Sequence, residues 1–429
     1  MENLQVRRVA ILGFGTVGKG VYKVIRKQQE EFPYIIGAEL EIAKILVRNK
    51  AKYSQEVEET ILTDTWAEII ADDSIDIIIE VMGGIEPART YILEALRAGK
   101  HVVTANKDLV AQHGHELLDT ASQNNCDLLF EASVAGGIPI IRPLKQCLAA
   151  NTITEVIGII NGTTNFILTK MSQEGMEFQD ALALATELGY AEADPTADIE
   201  GYDAGRKIAI MASIAFHSRV TFSDVFTEGI SKITAKDIRY AHEMDYEIKL
   251  LGIACNTPEG IEVRVHPTFI PKNHPLAAVS DSFNAVFVHG DALDDAMFYG
   301  RGAGELPTAS AVVGDVIDIA RNMQNICTGR IGCTCYKSLP IKPMAEVKSS
   351  YYLRMQLEDK PGTLSALAGV FGENKVSIFK LVQKTRDNDT AEVVIITAPV
   401  KEKRIQEAIK TFSQMEIIRK ISSVMRVYD

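Results

Sequence analysis

Residues 7–18 read RRVAILGFGTVG, and the interpretation of this run decides the fold. Arg7–Leu12 is a predicted strand of mostly apolar residues. Gly13-Phe14-Gly15-Thr16-Val17-Gly18 then spells G-x-G-x-x-G where a helix is predicted to open, from about Thr16 to Gln29. One glycine in such a turn permits the tight reversal, one lets the backbone approach a pyrophosphate, and one lets helix and strand pack closely. The N–H groups of the first helical turn lack intrahelical partners and lie at the positive end of the helix dipole, so they suit a phosphate. The glycines alone are a weak signal. A strand before them and a helix after them make the reading a dinucleotide site.

Outward from this turn, strands are predicted at Leu40–Val47, Ile75–Val81, His101–Thr104 and Asp127–Glu131, with helices at Ala88–Ala98 and Asp108–Asn124. Apolar strands alternating with amphipathic helices indicate an α/β Rossmann domain, a doubly wound parallel sheet over residues 1–133. Ligands of such sheets bind at the carboxyl ends of the strands. The second strand ends in Val47-Arg48-Asn49-Lys50, where an NAD site would carry an acid for the ribose 2′-hydroxyl. Arg48 suits a 2′-phosphate instead, so NADP is favoured over NAD.

Composition agrees with a multidomain globular protein. The 429 residues leave room for two to four domains at about 100–200 residues each. Hydrophobic residues make up 46% and charged residues 24%, and 45 basic against 57 acidic side chains give a net charge of −12. That balance gives no electrostatic reason to bind nucleic acid or an anionic membrane. No apolar run reaches the roughly 20 residues of a membrane span, and the N-terminus lacks a secretory pattern. Six scattered cysteines, including Cys327 and the pair Cys333 and Cys335, match no zinc spacing and read as reduced thiols of a cytoplasmic protein.

Beyond the first domain, residues 134–300 read as an α+β substrate and dimerisation domain in which NGTTN (161–165) is a loop. Residues 301–323 are a helix returning to the nucleotide domain, and 324–349 are a linker. Residues 350–429 form a separate module of strand, helix, strand, strand, helix, strand, the ferredoxin-like βαββαβ order.

Between Ala185 and Lys207 the chain carries Glu192, Asp194, Asp198, Glu200 and Asp203, five carboxylates within twelve positions. Asp203 and Lys207 are four apart and share a helix face. The following IAIMASIAF is apolar nearly all round, so the helix is buried. A lysine held beside carboxylates can exchange a proton with a hydroxyl or carbonyl oxygen during hydride transfer.

The run Ala185-x3-Gly189-Tyr190-Ala191-x2-Asp194-Pro195-x2-Asp198-Ile199-x-Gly201-x-Asp203-x3-Lys207 resembles the signature of the homoserine dehydrogenases. HVVTANK (101–107) and GIINGTTNFIL (158–168) resemble further segments of that family, over roughly residues 5–323. The resemblance implies interconversion of L-homoserine and L-aspartate 4-semialdehyde with NAD(P), at the branch toward threonine and methionine, by a monofunctional form. It implies Lys207 as proton donor and acceptor, Glu192 and Asp203 as carboxylates binding the substrate, and Thr104 and Lys107 beside the nicotinamide, Lys107 also against the substrate. Gly189 and Gly304 are implied near the cofactor. Glu131, with Val134, Gly136 and Ile138, resembles the family's sodium site, built from one carboxylate and backbone carbonyls. Leu357-Glu-Asp359-Lys-Pro361-Gly362-x-Leu364 resembles the opening of an ACT domain, which implies an amino-acid effector, threonine, bound around Asp359, Gly362 and Leu364. Pairing of such modules implies a homodimer or homotetramer. Another amino-acid or semialdehyde dehydrogenase, or a non-catalytic amino-acid sensor, is the alternative reading. The first would keep the nucleotide fold, and the second would have no use for Lys207.

Overall fold

The computed structural model describes residues 4–329, 332–387 and 390–428. The chain begins with β1 (Gln5–Leu12), α1 (Thr16–Lys27), α2 (Phe32–Ile36), β2 (Ala38–Leu46), β3 (Leu62–Thr63), α3 (Trp66–Ile70) and β4 (Ile77–Glu80). It continues through α4 (Ala88–Arg97), β5 (His101–Thr104), α5 (Lys107–Gln123), β6 (Leu128–Leu129), β7 (Ile153–Ile159), α6 (Gly162–Glu174), α7 (Phe178–Glu187), α8 (Thr196–Ile199) and α9 (Tyr202–Ala215). Next come β8 (Phe226–Thr227), α10 (Ala235–Glu243), β9 (Tyr246–Thr257), β10 (Gly260–Pro271), β11 (Phe283–Gly290), β12 (Asp294–Arg301) and α11 (Glu305–Gln324). The last elements are β13 (Lys348–Glu358), α12 (Thr363–Glu373), β14 (Ile378–Asp387), β15 (Thr390–Thr397), β16 (Val400–Lys401), α13 (Glu402–Phe412) and β17 (Ile418–Val427).

These elements gather into two compact units, one of residues 1–156, 206–223 and 284–338, the other of residues 157–205, 224–283 and 339–429. In the first unit a parallel sheet runs β3-β2-β1-β4-β5-β6. Val9–Leu12 and Ile77–Ile79 are fully buried, as strands covered on both faces must be. The strand order reverses between β1 and β4, so the ligand crevice of the fold opens beyond Leu12 and Glu80. Helix α11 belongs to this unit, as expected for a returning segment. It lies so close to α1 that a Cβ on Gly20 would come within 2.5 Å of the Glu305 carbonyl oxygen.

In the second unit β9 and β10 form an antiparallel hairpin, and the sheet continues through β17, β13, β15 and β14. The βαββαβ order of the C-terminal module is present as predicted, and Phe371 of α12 meets Phe412 of α13 edge-on at 4.9 Å. The module is not the isolated body that the sequence suggested. β17 pairs parallel with β10 through Thr268–Arg426 and Phe269–Val427. A buried polar cluster also ties it to α10. Arg354 of β13 bonds Asp237 at 2.8 Å, and Glu392 of β15 accepts from Lys236 at 2.9 Å and from the Tyr240 hydroxyl at 2.5 Å. The expected linker is anchored as well, since Pro340 accepts the Ile261 N–H at 2.8 Å and Lys342 bonds Glu262 at 2.8 Å. Arg330 and Ile331, within that expected linker, lie outside the described residues.

Candidate functional site

The three glycines of the first turn have separate physical reasons. Gly13 has φ +98°, and a Cβ there would sit 3.0 Å from the Val81 carbonyl oxygen. On Gly18 a Cβ would lie 2.2 Å from the Gly13 carbonyl oxygen, so this glycine lets the helix press on the turn. On Gly15 a Cβ would meet no protein atom within 4 Å. Gly15 is the N-cap of α1, the first turn holds no acidic residue, and no side chain caps it, so the helix opens with N–H groups lacking a side-chain partner beside the exposed Gly15 and Thr16. The Phe14 side chain is turned into the core, edge-on to Tyr22 at 5.8 Å and to Tyr53 at 5.3 Å. It shapes the turn and offers only its backbone to a ligand. Arg48 is exposed just past the end of β2, where a ribose 2′-substituent would lie in this fold.

The crevice wall at the ends of β4 and β5 is polar and fully bonded. The Thr104 hydroxyl donates to Glu80 Oε2 at 2.6 Å and accepts the Asn106 N–H at 3.0 Å. Glu80 Oε1 accepts the N–H groups of Met82 at 2.8 Å and Gly83 at 3.2 Å. Burial pushes the Glu80 carboxyl above its ordinary range, against the pull of these bonds. The hydroxyl of Thr104 is therefore spent on the protein. Asn106 caps α5 through the Leu109 N–H at 3.1 Å and donates to the Gly84 carbonyl at 2.6 Å, so Lys107 starts a helix of fixed direction. Glu80 and Asn106 were not singled out from sequence; the TAN before Lys107, read as a cap, would have found Asn106. Gly304, at φ +126°, is the N-cap of α11, packed against the Pro307 ring.

Glu131 is buried in a short turn after β6. Its Oε1 accepts the N–H groups of Ile140 at 2.6 Å and Ile141 at 2.7 Å, and its Oε2 that of Arg142 at 2.8 Å. Its own N–H goes to Asp315, which burial and the neighbouring Glu131 charge push up to about 7. Val134, Gly136 and Ile138 are buried, and among the described residues no backbone N–H donates to their carbonyls. Gly136, at φ +55°, lies flat on Gly302, where a Cβ would come within 2.2 Å of a carbonyl oxygen.

The acidic segment is spread over a turn and two helices. Glu192 and Asp194 are exposed in the turn after α7; Asp198 is in α8; Asp203 is in the first turn of α9 and only 6% exposed. The helix beyond is buried as predicted, with Ile208, Ala209, Met211 and Ala212 fully enclosed. Lys207 follows Asp203 by one turn of that helix, and Arg206 pairs with Asp108 at 2.9 Å. Gly189, at φ +77°, closes α7 in the left-handed conformation that favours glycine. Asn161, expected in a loop, instead caps α6 by accepting the Thr164 N–H at 2.8 Å. In the C-terminal module Gly362, at φ +91°, caps α12 without a side-chain bond; Asp359 and Leu364 flank it in solvent.

A parallel sheet reversing beside an open glycine turn holds a dinucleotide, and a lysine one turn from a carboxylate is equipped to move a proton. The class is a nicotinamide-dependent oxidoreductase. Family models match in three places: the homoserine dehydrogenase NAD binding domain over residues 13–131, homoserine dehydrogenase over 139–317, and the ACT domain over 351–416. The chain is 47% identical over 425 residues to the homoserine dehydrogenase of Corynebacterium glutamicum, covering 98% of this chain and 95% of that one. The solved homoserine dehydrogenase of Thiobacillus denitrificans superposes with a TM-score of 0.95 at 41% identity, covering all of both chains. A hyperthermophilic archaeal homoserine dehydrogenase in complex with NADPH superposes at a TM-score of 0.63 and 28% identity, over 73% of this chain and 98% of that one. The chain belongs to the homoserine dehydrogenase family, whose members interconvert L-homoserine and L-aspartate 4-semialdehyde with a nicotinamide cofactor.

Proposed function

We propose that the reaction runs with NADP(H) as the preferred cofactor and with Lys207 as the group that moves the proton. The placement of Lys207 one turn after the buried Asp203 carries this reading. When bound, the cofactor would supply the hydride acceptor for C4 of homoserine, the carbon bearing the hydroxyl. Lys207 takes the hydroxyl proton as the C–O bond becomes a carbonyl; in reduction its ammonium returns that proton to the aldehyde oxygen. Asp203 and Glu192 supply negative charge for the substrate ammonium, and Lys107 directs its cationic end to the substrate. The first turn of α1 would receive the pyrophosphate and Arg48 would pair with a 2′-phosphate; that the archaeal relative was solved with NADPH supports a nicotinamide dinucleotide here.

The oxygen donors around Glu131 fit a structural sodium ion. Glu131 Oε2 keeps a free acceptor direction, and the three buried carbonyls of Val134, Gly136 and Ile138 are hard ligands. The ion would fix this loop. Threonine fits the exposed turn Asp359–Leu364, whose helix N-terminus can receive its carboxylate. The exposed edge of β14, with Phe379 and Leu381 outward, supports pairing of copies into a homodimer or homotetramer. The six unbridged cysteines suit a cytoplasmic location, and no helix among the described residues is long and apolar enough to cross a membrane. The direct test is absorbance at 340 nm with homoserine and either NADP or NAD. A rise with homoserine, steeper for NADP at low concentration, is expected; no rise with either cofactor would reject the reading.

A further inference from the structure

We propose that Asn161 is a positioning residue for this reaction, its side-chain amide holding Asp198 and Asp203 in a single pose. The inference rests on the role given above to Asp203. Asn161 is 5% exposed and sits at the start of α6. Its Oδ1 accepts the Thr164 N–H at 2.8 Å and the Thr164 hydroxyl at 2.9 Å. Its Nδ2 donates to Asp198 Oδ1 at 2.6 Å and to Asp203 Oδ2 at 2.9 Å.

The orientation of this amide follows from its neighbours. A backbone N–H can only donate, so Oδ1 faces Thr164; two carboxylates can only accept, so Nδ2 faces them. Flipping the amide would put an oxygen against two carboxylates and a nitrogen against an N–H. Both protons of the amide are thus committed, one to each acid.

Two like charges held this close repel, and a donor shared between them offsets that repulsion. The clamp holds Asp203 at the start of α9. The neighbouring Thr163 hydroxyl donates to the Tyr190 carbonyl at 2.7 Å, fixing the turn that carries Gly189 and leads to Glu192. The first turn of α6 therefore orders both acidic stretches of the second unit.

A plain helix cap would explain the Oδ1 bonds but not the two Nδ2 bonds. Asn161→Ser and Asn161→Asp separate these roles, because serine and aspartate cap helices as well as asparagine does. Neither can supply two N–H donors. For Asn161→Ser the expected result is a fall in kcat/KM for homoserine of about 10- to 100-fold, the size of a lost hydrogen bond to charged groups. Affinity for NADPH should stay near wild type, and the melting temperature should fall by only the few degrees that a lost internal hydrogen bond costs. Asn161→Asp should be slower still, and its rate relative to wild type should recover as pH is lowered and the introduced carboxyl gains a proton to donate. Asp203→Asn is run alongside. Wild-type rates in Asp203→Asn would overturn the reading of the site itself. Loss in Asp203→Asn with wild-type rates in Asn161→Ser and Asn161→Asp would leave that reading standing and reduce Asn161 to a cap. Equal loss of homoserine turnover and NADPH affinity in the serine variant would show a structural role and overturn the inference.

Discussion

Two glycine substitutions in the first turn should have opposite effects, although they lie three residues apart. In Gly18→Ala the new methyl would start 2.2 Å from the Gly13 carbonyl oxygen. Reaching ordinary contact requires about 1 Å of movement, and overpacking of that kind costs about 1–3 kcal/mol. For a unit of this size that is a fall of roughly 2–4 °C per kcal/mol in its melting temperature, with or without cofactor. In Gly15→Ala the methyl meets no protein atom within 4 Å, so stability without cofactor should fall by no more than about 0.5–1 kcal/mol, the difference between glycine and alanine at a cap. The methyl would instead stand between the backbone N–H groups and the pyrophosphate. Losing one charge-assisted bond, about 1.5–3 kcal/mol, raises the Kd for NADPH by about 10- to 100-fold. Thermal unfolding with an NADPH series reads both numbers. At a concentration 100 times the wild-type Kd, cofactor should stabilise the wild type by about 2.7 kcal/mol; if Kd rises 100-fold, the same concentration adds only about 0.4 kcal/mol in Gly15→Ala. Wild-type affinity in Gly15→Ala, or wild-type stability in Gly18→Ala, would refute the assignment of these roles.

Three further outcomes are expected. Arg48→Ala should raise KM for NADP far more than KM for NAD, as initial rates with both cofactors will show; equal rises would remove Arg48 from cofactor choice. Arg354→Ala leaves Asp237 and Glu392 buried without their guanidinium, and breaking a buried pair of this kind costs about 3–5 kcal/mol, so the urea midpoint should fall markedly; a loss under about 1 kcal/mol would contradict the cluster's role. Lys249, buried with its ammonium bonded to the Val279 carbonyl at 2.6 Å, is lowered by desolvation to about 8. Because the unfolded chain binds this proton more tightly, wild-type stability should gain on that of Lys249→Met as pH rises from about 8 to 10.5, by about 3 kcal/mol in total. A constant difference between the two proteins over that range would show that Lys249 titrates normally.

The parallel sheet was legible because each β-strand is a short apolar run and each helix carries one apolar stripe. His101–Thr104 matches its predicted limits, and Ala88–Arg97 falls one residue short. The strand at Asp127–Glu131 shrinks to Leu128–Leu129 because Glu131 is drawn into a turn by three distant N–H groups, a tertiary effect that no local pattern carries. NGTTN read as a loop because glycine and threonine are poor helix formers, yet asparagine is a strong cap and α6 begins there. The βαββαβ order of the tail was legible for the same reasons as the sheet. Its attachment was not, because β10–β17 pairing and the Arg354 cluster join residues far apart in sequence. Among the site residues, chemistry pointed to Asp203 and Lys207 through their spacing. Asn161 was invisible as a partner of Asp203, since 42 residues separate them.

The most direct test of the central claim is single-turnover hydride transfer in Lys207→Ala, followed at 340 nm beside the binding of NADPH. With a lost proton donor the rate should fall by about 10²- to 10⁴-fold while NADPH affinity and the unfolding curve stay near wild type. A rate within a few-fold of wild type would show that another group moves the proton and that Lys207 has no place in the chemistry.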